Sequence, residues 1–153
     1  MKPNYTIRLG RKEDLPAVMQ LIQDLAEFEK APEEVENNVQ QLEQDWHRHG
    51  SFQFLVAVAD EEVIGMSLYY PRYSTWKGRC YYLEDLYVKP AFRGLGIGLA
   101  LIKATADEAR KAGAIRLDWQ VLDWNEGAVQ FYENLGAKVE KEWWNCKWRL
   151  RLQ

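Results

Sequence analysis

Apolar residues recur at helical spacing near the start of the chain. Leu15, Val18, Ile22, Leu25 and Ala26 predict a helix over about 13–30, with Pro16 tolerable in its first turn. Residues 5–9 ahead of it read as a short strand that Gly10 ends. Ala31-Pro32 interrupts the pattern, and a second, more polar helix is expected within 33–49. Two apolar runs, 52–59 and 63–70, flank the polar turn Asp60-Glu61-Glu62 and predict an antiparallel hairpin. Residues 71–78 read as a loop, and 79–88 as another strand rich in aromatic and β-branched residues.

Pro90 blocks that strand, and a helix is expected over 97–111, stopped near Gly113. Residues 115–122 return to strand, so strand, crossover helix and strand imply a parallel pair. Asn125 is a suitable N-cap for a short helix that places Ala128, Phe131, Tyr132 and Leu135 on one side and ends at Gly136. The tail 138–152, with Trp143, Trp144 and Trp148 among charges, reads as one or two closing strands. The order β-α-α-β-β-β-α-β-α-β(β) predicts an α/β (α+β) domain spanning 1–153. Its sheet is mixed and mostly antiparallel, with helices on both faces.

Composition narrows the partners. With 153 residues and a net charge of −3, the chain suits one domain and does not suit a general nucleic-acid binder. No apolar run approaches a bilayer span and the first residues lack a signal-peptide core, so no membrane partner is expected. Cys80 and Cys146 form neither a disulfide framework nor a zinc spacing, which fits free thiols and a cytoplasmic protein. His47 and His49 lie two apart and face different sides of a helix, so no metal site is expected.

The chemistry concentrates in 82–101. Gly94, Gly96 and Gly98 feed a helix N-terminus, whose unpaired N–H groups and partial positive charge attract anions, with Arg93 beside them. A phosphate or pyrophosphate is expected here. The nucleotide P-loop is excluded because Leu99, not Lys, follows Gly98. The dinucleotide fingerprint fails because the spacing is G-x-G-x-G, although Asp118 lies about where a ribose-binding acid would. An ordinary glycine-rich turn is the plain alternative.

What remains is Arg93-x-x-Gly96-x-Gly98, which resembles the acetyl-CoA pyrophosphate loop of the GCN5-related N-acetyltransferases (GNAT). Tyr82-Leu83-Glu84-Asp85, the segment 93–98 and Trp124-Asn125-Glu126 resemble the spermidine/spermine N1-acetyltransferase branch of that family. Segments 26–30, 74–79 and 121–125 resemble a member acting on a lysine-like amine. The resemblance runs over about 7–137 and stops before the tail. It implies the GNAT fold, with six to seven strands and one parallel pair around the cofactor cleft. It also implies acetyl-CoA as co-substrate without a metal, a small amine substrate, and a homodimer.

The resemblance also assigns residues. Leu86, Tyr87 and Val88 would meet the pantetheine arm, and Arg93, Gly94, Leu95, Gly96, Ile97, Gly98 and Leu99 the pyrophosphate. Asn125, Glu126, Gly127, Ala128 and Tyr132 complete the cofactor set. Phe28, Glu29, Trp76, Glu84, Asp85, Asp118, Trp119 and Gln120 form the amine set. In the polyamine enzymes an acid stands where this chain has Ser74, which favours a shorter amine here.

The acetyl acceptor must be a neutral amine, so a carboxylate is needed to take the ammonium's proton directly or through water. Glu84 is the candidate, while Asp85 faces the other side unless a bulge intervenes. Tyr132 is the candidate acid for the leaving thiolate. A polyamine or protein-lysine acetyltransferase is the second expectation, and a non-catalytic acyl-CoA-binding module the third.

Overall fold

The computed structural model describes residues 4–151. Two compact units divide the chain, 1–120 and 121–153. In the first, a sheet runs in the order β1 (Thr6–Leu9), β2 (Gln53–Ala59), β3 (Glu62–Ser74), β4 (Gly78–Val88) and β5 (Arg116–Asp118). All neighbours are antiparallel except β4 and β5, the expected parallel pair.

The helices of this unit are α1 (Leu15–Phe28), the short α2 (Val39–Glu43) and α3 (Ile97–Lys111). α1 and α2 cover one face. Leu15, Val18, Leu21 and Leu42 pack there against Phe54, Val56, Met66, Leu68 and Tyr87. α3 covers the other, where Leu101 approaches Gly65 and the Thr105 hydroxyl bonds Ser67. Alternate residues of β3 thus serve opposite faces, as the strand period requires. Asp14, buried beneath the start of α1, ties it to β1. Arg8 grips its carboxylate at 2.7 and 3.0 Å and the Arg11 N–H donates at 2.8 Å. Burial would raise this carboxyl, but those bonds and the Arg8 charge outweigh it and hold it below the usual range.

Several expectations need correction. Among the described residues the sheet has five strands, not six to seven, because residues 137–151 form no ladder. Their alternation of Trp and Leu with Lys and Arg meets a strand's side-chain pattern, but a strand also needs backbone pairing. Pro71 does not start a loop. It lies within β3, opposite Tyr81, beyond the last β2 partner of that strand, so its missing N–H costs no ladder bond. The loop shrinks to Thr75-Trp76-Lys77. The helix expected in 33–49 breaks into a turn at Pro32–Glu34, α2, and a wide turn at Gln44–Arg48. Asn38 caps α2 by accepting the Gln41 N–H at 2.9 Å, so the helix begins there.

β5 covers only Arg116–Asp118 of the expected 115–122, and its ladder with β4 ends at Tyr82↔Asp118. Two residues later β4 carries a bulge. Leu68 pairs with Asp85 and Tyr69 with Leu83, which leaves Glu84 as the extra residue. A bulge bends and twists its strand, which ends the regular pairing.

The second unit contains α4 (Glu126–Leu135). Asn125 caps it by accepting the Ala128 N–H at 3.2 Å, and Gly136 closes it in the left-handed region. Among the described residues no helix is long and apolar enough to cross a membrane.

Candidate active site

The bulge decides where the carboxylates go. Residues opposite each other in an antiparallel pair share a face. Asp85 lies opposite Leu68 and Tyr87 opposite Met66, both on the α1 face. Glu84 reaches the same side, because the Tyr70 phenol donates to its Oε1 at 2.7 Å, and Tyr70 packs on the α1-face core. Leu83, before the bulge, lies opposite Tyr69 instead. Neighbouring Glu84 and Asp85 therefore share one face, the exception to alternation that a bulge permits.

Glu29, just past the end of α1, completes the cluster. Burial raises its carboxyl, and the Glu84 charge raises it further. Asp85 is pushed up to about 7, first by burial and then by Glu84 and Glu29. It accepts no hydrogen bond among the described residues, so nothing offsets that penalty. The Tyr70 phenol is also raised, by burial and then by its bond to Glu84, and stays a proton donor.

Eight residues on, the chain turns from β4 into α3. Gly94 (φ +78°) and Gly96 (φ +82°) take the left-handed conformation that L side chains avoid. A Cβ on either would meet nothing within 4 Å, so the protein itself leaves this space open. α3 begins without a side-chain cap, so its first N–H groups face outward as donors. Such a concave run of amides fits a phosphate group. Arg93 lies beside it. Its guanidinium stacks between the Phe28 ring (5.4 Å) and the Tyr87 ring (5.2 Å), and its Nε donates to the Val88 carbonyl at 3.0 Å. β5 has ended by this point, so the β4 edge at Leu86 and Val88 has no partner strand within this unit.

The structure thus gathers Phe28, Glu29, Glu84, Asp85, Tyr87 and Arg93 at one end of the α1 face. Trp76 is not with them. It sits 84% exposed at the β3–β4 hairpin tip, six residues of strand before Glu84. Asp118 is engaged by Arg116 at 2.6 and 3.1 Å and approached by Arg72 at 3.7 Å. Trp119 and Gln120 follow it outside any ladder. Asn125, Glu126, Gly127, Ala128 and Tyr132 belong to the second unit, where Tyr132 lies half-buried on α4 with its ring edge-on to Phe131.

Sequence reasoning missed Tyr70, Arg72 and Tyr82. Tyr70 and Tyr82 stack at 5.6 Å between centroids, and the Arg72 guanidinium lies 5.3 Å from the Tyr82 ring. Continuing the hairpin through Pro71 would have paired Tyr70 with Tyr82 and revealed them.

The model of the acetyltransferase (GNAT) family matches residues 15–137. A thialysine N-epsilon-acetyltransferase of Bos taurus is 40% identical over 151 residues, covering 92% of this chain and 89% of its own. That of Caenorhabditis elegans is 38% identical, covering 86% and 82%. Among solved structures, an integron cassette protein from the mobile metagenome of V. cholerae superposes with a TM-score of 0.76 at 26% identity, covering 97% of this chain and 93% of its own. With the glycine turn, the open strand edge and these relatives in agreement, the chain belongs to the GNAT family of N-acetyltransferases.

Proposed function

We propose that this enzyme transfers the acetyl group of acetyl-CoA to the primary amine of a small lysine-like or diamine substrate. One observation carries the reading. The strand that feeds the phosphate-type turn also carries two carboxylates on one face, joined there by Glu29. An anion site and an ammonium site therefore lie within one stretch of chain. The thialysine N-epsilon-acetyltransferase relatives support the lysine-like substrate.

Acetyl-CoA would supply the acyl group and a thiolate leaving group. Gly94 to Leu99 and Arg93 would hold its pyrophosphate, and Leu86, Tyr87 and Val88 its pantetheine arm. Residues 125–128 would complete the cofactor contacts.

A lysine-type ammonium has a reference pKa of about 10.4, so fewer than about one in a thousand is neutral at pH 7. Glu84 receives the ammonium and takes its proton directly or through a water. Asp85, at about 7, is a second acceptor on the same face. Proton transfer from the amine to such a group is about three pKa units less uphill than transfer to an ordinary aspartate, roughly 4 kcal/mol. Tyr132, with a reference phenol pKa of about 10, can protonate a thiolate whose acid has a pKa of about 8.5. Both units would form one acetyltransferase domain, since the family match crosses Gln120. A cytoplasmic homodimer is the family's implication.

The test is thiol release from acetyl-CoA with thialysine, lysine, spermidine, spermine and a histone-tail peptide. Thialysine and lysine should lead. Preference for spermidine keeps the chemistry and overturns the substrate, while tight acetyl-CoA binding without turnover points to a binding module. Tyr132→Phe should lower kcat by about a hundredfold, as loss of a general acid does, with acetyl-CoA affinity unchanged. Unchanged turnover removes Tyr132 as the acid.

A further inference from the structure

Beside the carboxylate cluster, the same sheet face carries a strip of opposite character. Tyr70 and Arg72 alternate on β3, Tyr82 and Glu84 on β4, and Asp118 stands opposite Tyr82 on β5. The contacts form a chain. Tyr70 donates to Glu84 and stacks on Tyr82, and the Arg72 guanidinium lies over Tyr82.

Beyond Tyr82 the charges are two guanidinium groups, Arg72 and Arg116, against one carboxylate, Asp118. That end is net positive. The Asp118 carboxylate is gripped by Arg116 through two bonds, whereas Arg72 reaches it only at 3.7 Å. Arg72 makes no hydrogen bond to any protein group among the described residues, and its side chain is 55% exposed. A guanidinium fork in that state is suited to bind a second carboxylate in bidentate fashion.

We infer that Arg72 sets the substrate class by receiving the carboxylate of an amino acid whose distal amine is acetylated at the Glu84–Asp85 end of the strip. This rests on the amine-acetyltransferase reading and deepens it. Arg72 stands opposite Cys80, but its guanidinium reaches to 5.3 Å from the Tyr82 ring, and Tyr82 is two strand residues, about 7 Å, from Glu84. A lysine-like chain, extended over six bonds from distal nitrogen to carboxyl carbon, spans roughly 7.5 Å. The same charge also excludes. A diamine or polyamine would bring a second ammonium against the guanidinium pair, a like-charge approach that discriminates without any added contact.

The experiment compares kcat/KM for lysine and cadaverine, and for ornithine and putrescine, in the wild type, Arg72→Gln and Arg72→Lys. Each pair differs by the carboxylate alone. The wild type should favour the amino acid of each pair. Arg72→Gln should lower kcat/KM for the amino acids by about 10–100-fold, as loss of a charge-assisted pair does, and should raise it severalfold for the diamines. Arg72→Lys, which keeps the charge but loses the fork, should fall between for the amino acids and still disfavour diamines. An equal fall for both members of a pair, or a wild type that prefers the diamine, overturns the inference while leaving the acetyltransferase reading intact. A wild type that acetylates none of the four, yet releases thiol with a peptide, overturns the small-amine reading and this inference with it.

Discussion

The glycine turn and the acidic bulge lie within a dozen residues of each other, yet they store charge in opposite ways. At Gly94–Gly98 the positive potential comes from the backbone: donors that any helix start leaves unpaired, facing open space. At Glu84–Asp85 the negative potential comes from side chains, one of them half-buried without a hydrogen-bond partner among the described residues. The first costs the fold little, because water satisfies those amides until a ligand does. The second sets three carboxylates against one another, and the folded state carries that strain. A site that binds an anion can be nearly free of structural cost, whereas a site that must take a proton at neutral pH is held at the expense of stability.

The largest effect should come from Asp85→Asn. Removing the second proton acceptor beside Glu84, poised at about 7, should reduce kcat at pH 7 by roughly 10²-fold and abolish an ascending limb near pH 7 in the rate profile. The same substitution should stabilise the protein. The folded-state pKa of Asp85 lies above its unfolded value, so its ionisation penalty is absent below about pH 4. The penalty grows as pH rises and is complete above about 7, where it amounts to roughly 2–4 kcal/mol. Urea unfolding of both proteins at pH 5 and pH 8 measures this, with the larger gap expected at pH 8. A variant no more stable than the wild type at pH 8 would break the contrast.

A smaller effect is expected at the turn. Gly96→Ala meets no steric neighbour and suffers only from the left-handed backbone, about 1 kcal/mol. Equilibrium unfolding should show that loss, and the KM for acetyl-CoA should rise severalfold while kcat holds. A collapse in kcat would mean the turn does more than hold an anion. The smallest effect belongs to Glu29→Gln. Glu29 is the weakest of the three causes that raise Asp85, so the acidic limb should move to lower pH by less than about one unit. A pH–rate profile that does not move would place Glu29 outside the cluster.

The turn was legible because glycine spacing and a following apolar helix are local signals, and so were the β2–β3 hairpin and the parallel crossover. The cluster was legible only in its members. Glu84, Asp85 and Glu29 could be named, but which of them share a face depends on how β4 pairs with β3. The expected loop at Pro71 cut that hairpin short and hid Tyr70, Arg72 and Tyr82. The adjacent pair Glu84-Asp85 between Leu83 and Leu86 broke the two-residue alternation and was the available hint. The tail shows the reverse failure. Its alternating Trp, Leu, Lys and Arg satisfy a strand pattern, but pattern does not supply a pairing partner.

The bulge also makes strand length a chemical variable. Tyr87 packs in the α1-face core, and Leu83 lies buried on the opposite phase. Both are accommodated in this strand because one unpaired residue separates the two phases. Deleting Leu86 would restore an unbroken ladder that keeps Leu83 and Tyr87 on their own faces but sends the two neighbouring carboxylates to opposite faces. Relatives that keep every acidic residue but differ by one position in this strand would inherit the fold without its chemistry, so gaps here matter more than substitutions when an activity is carried from one sequence to another.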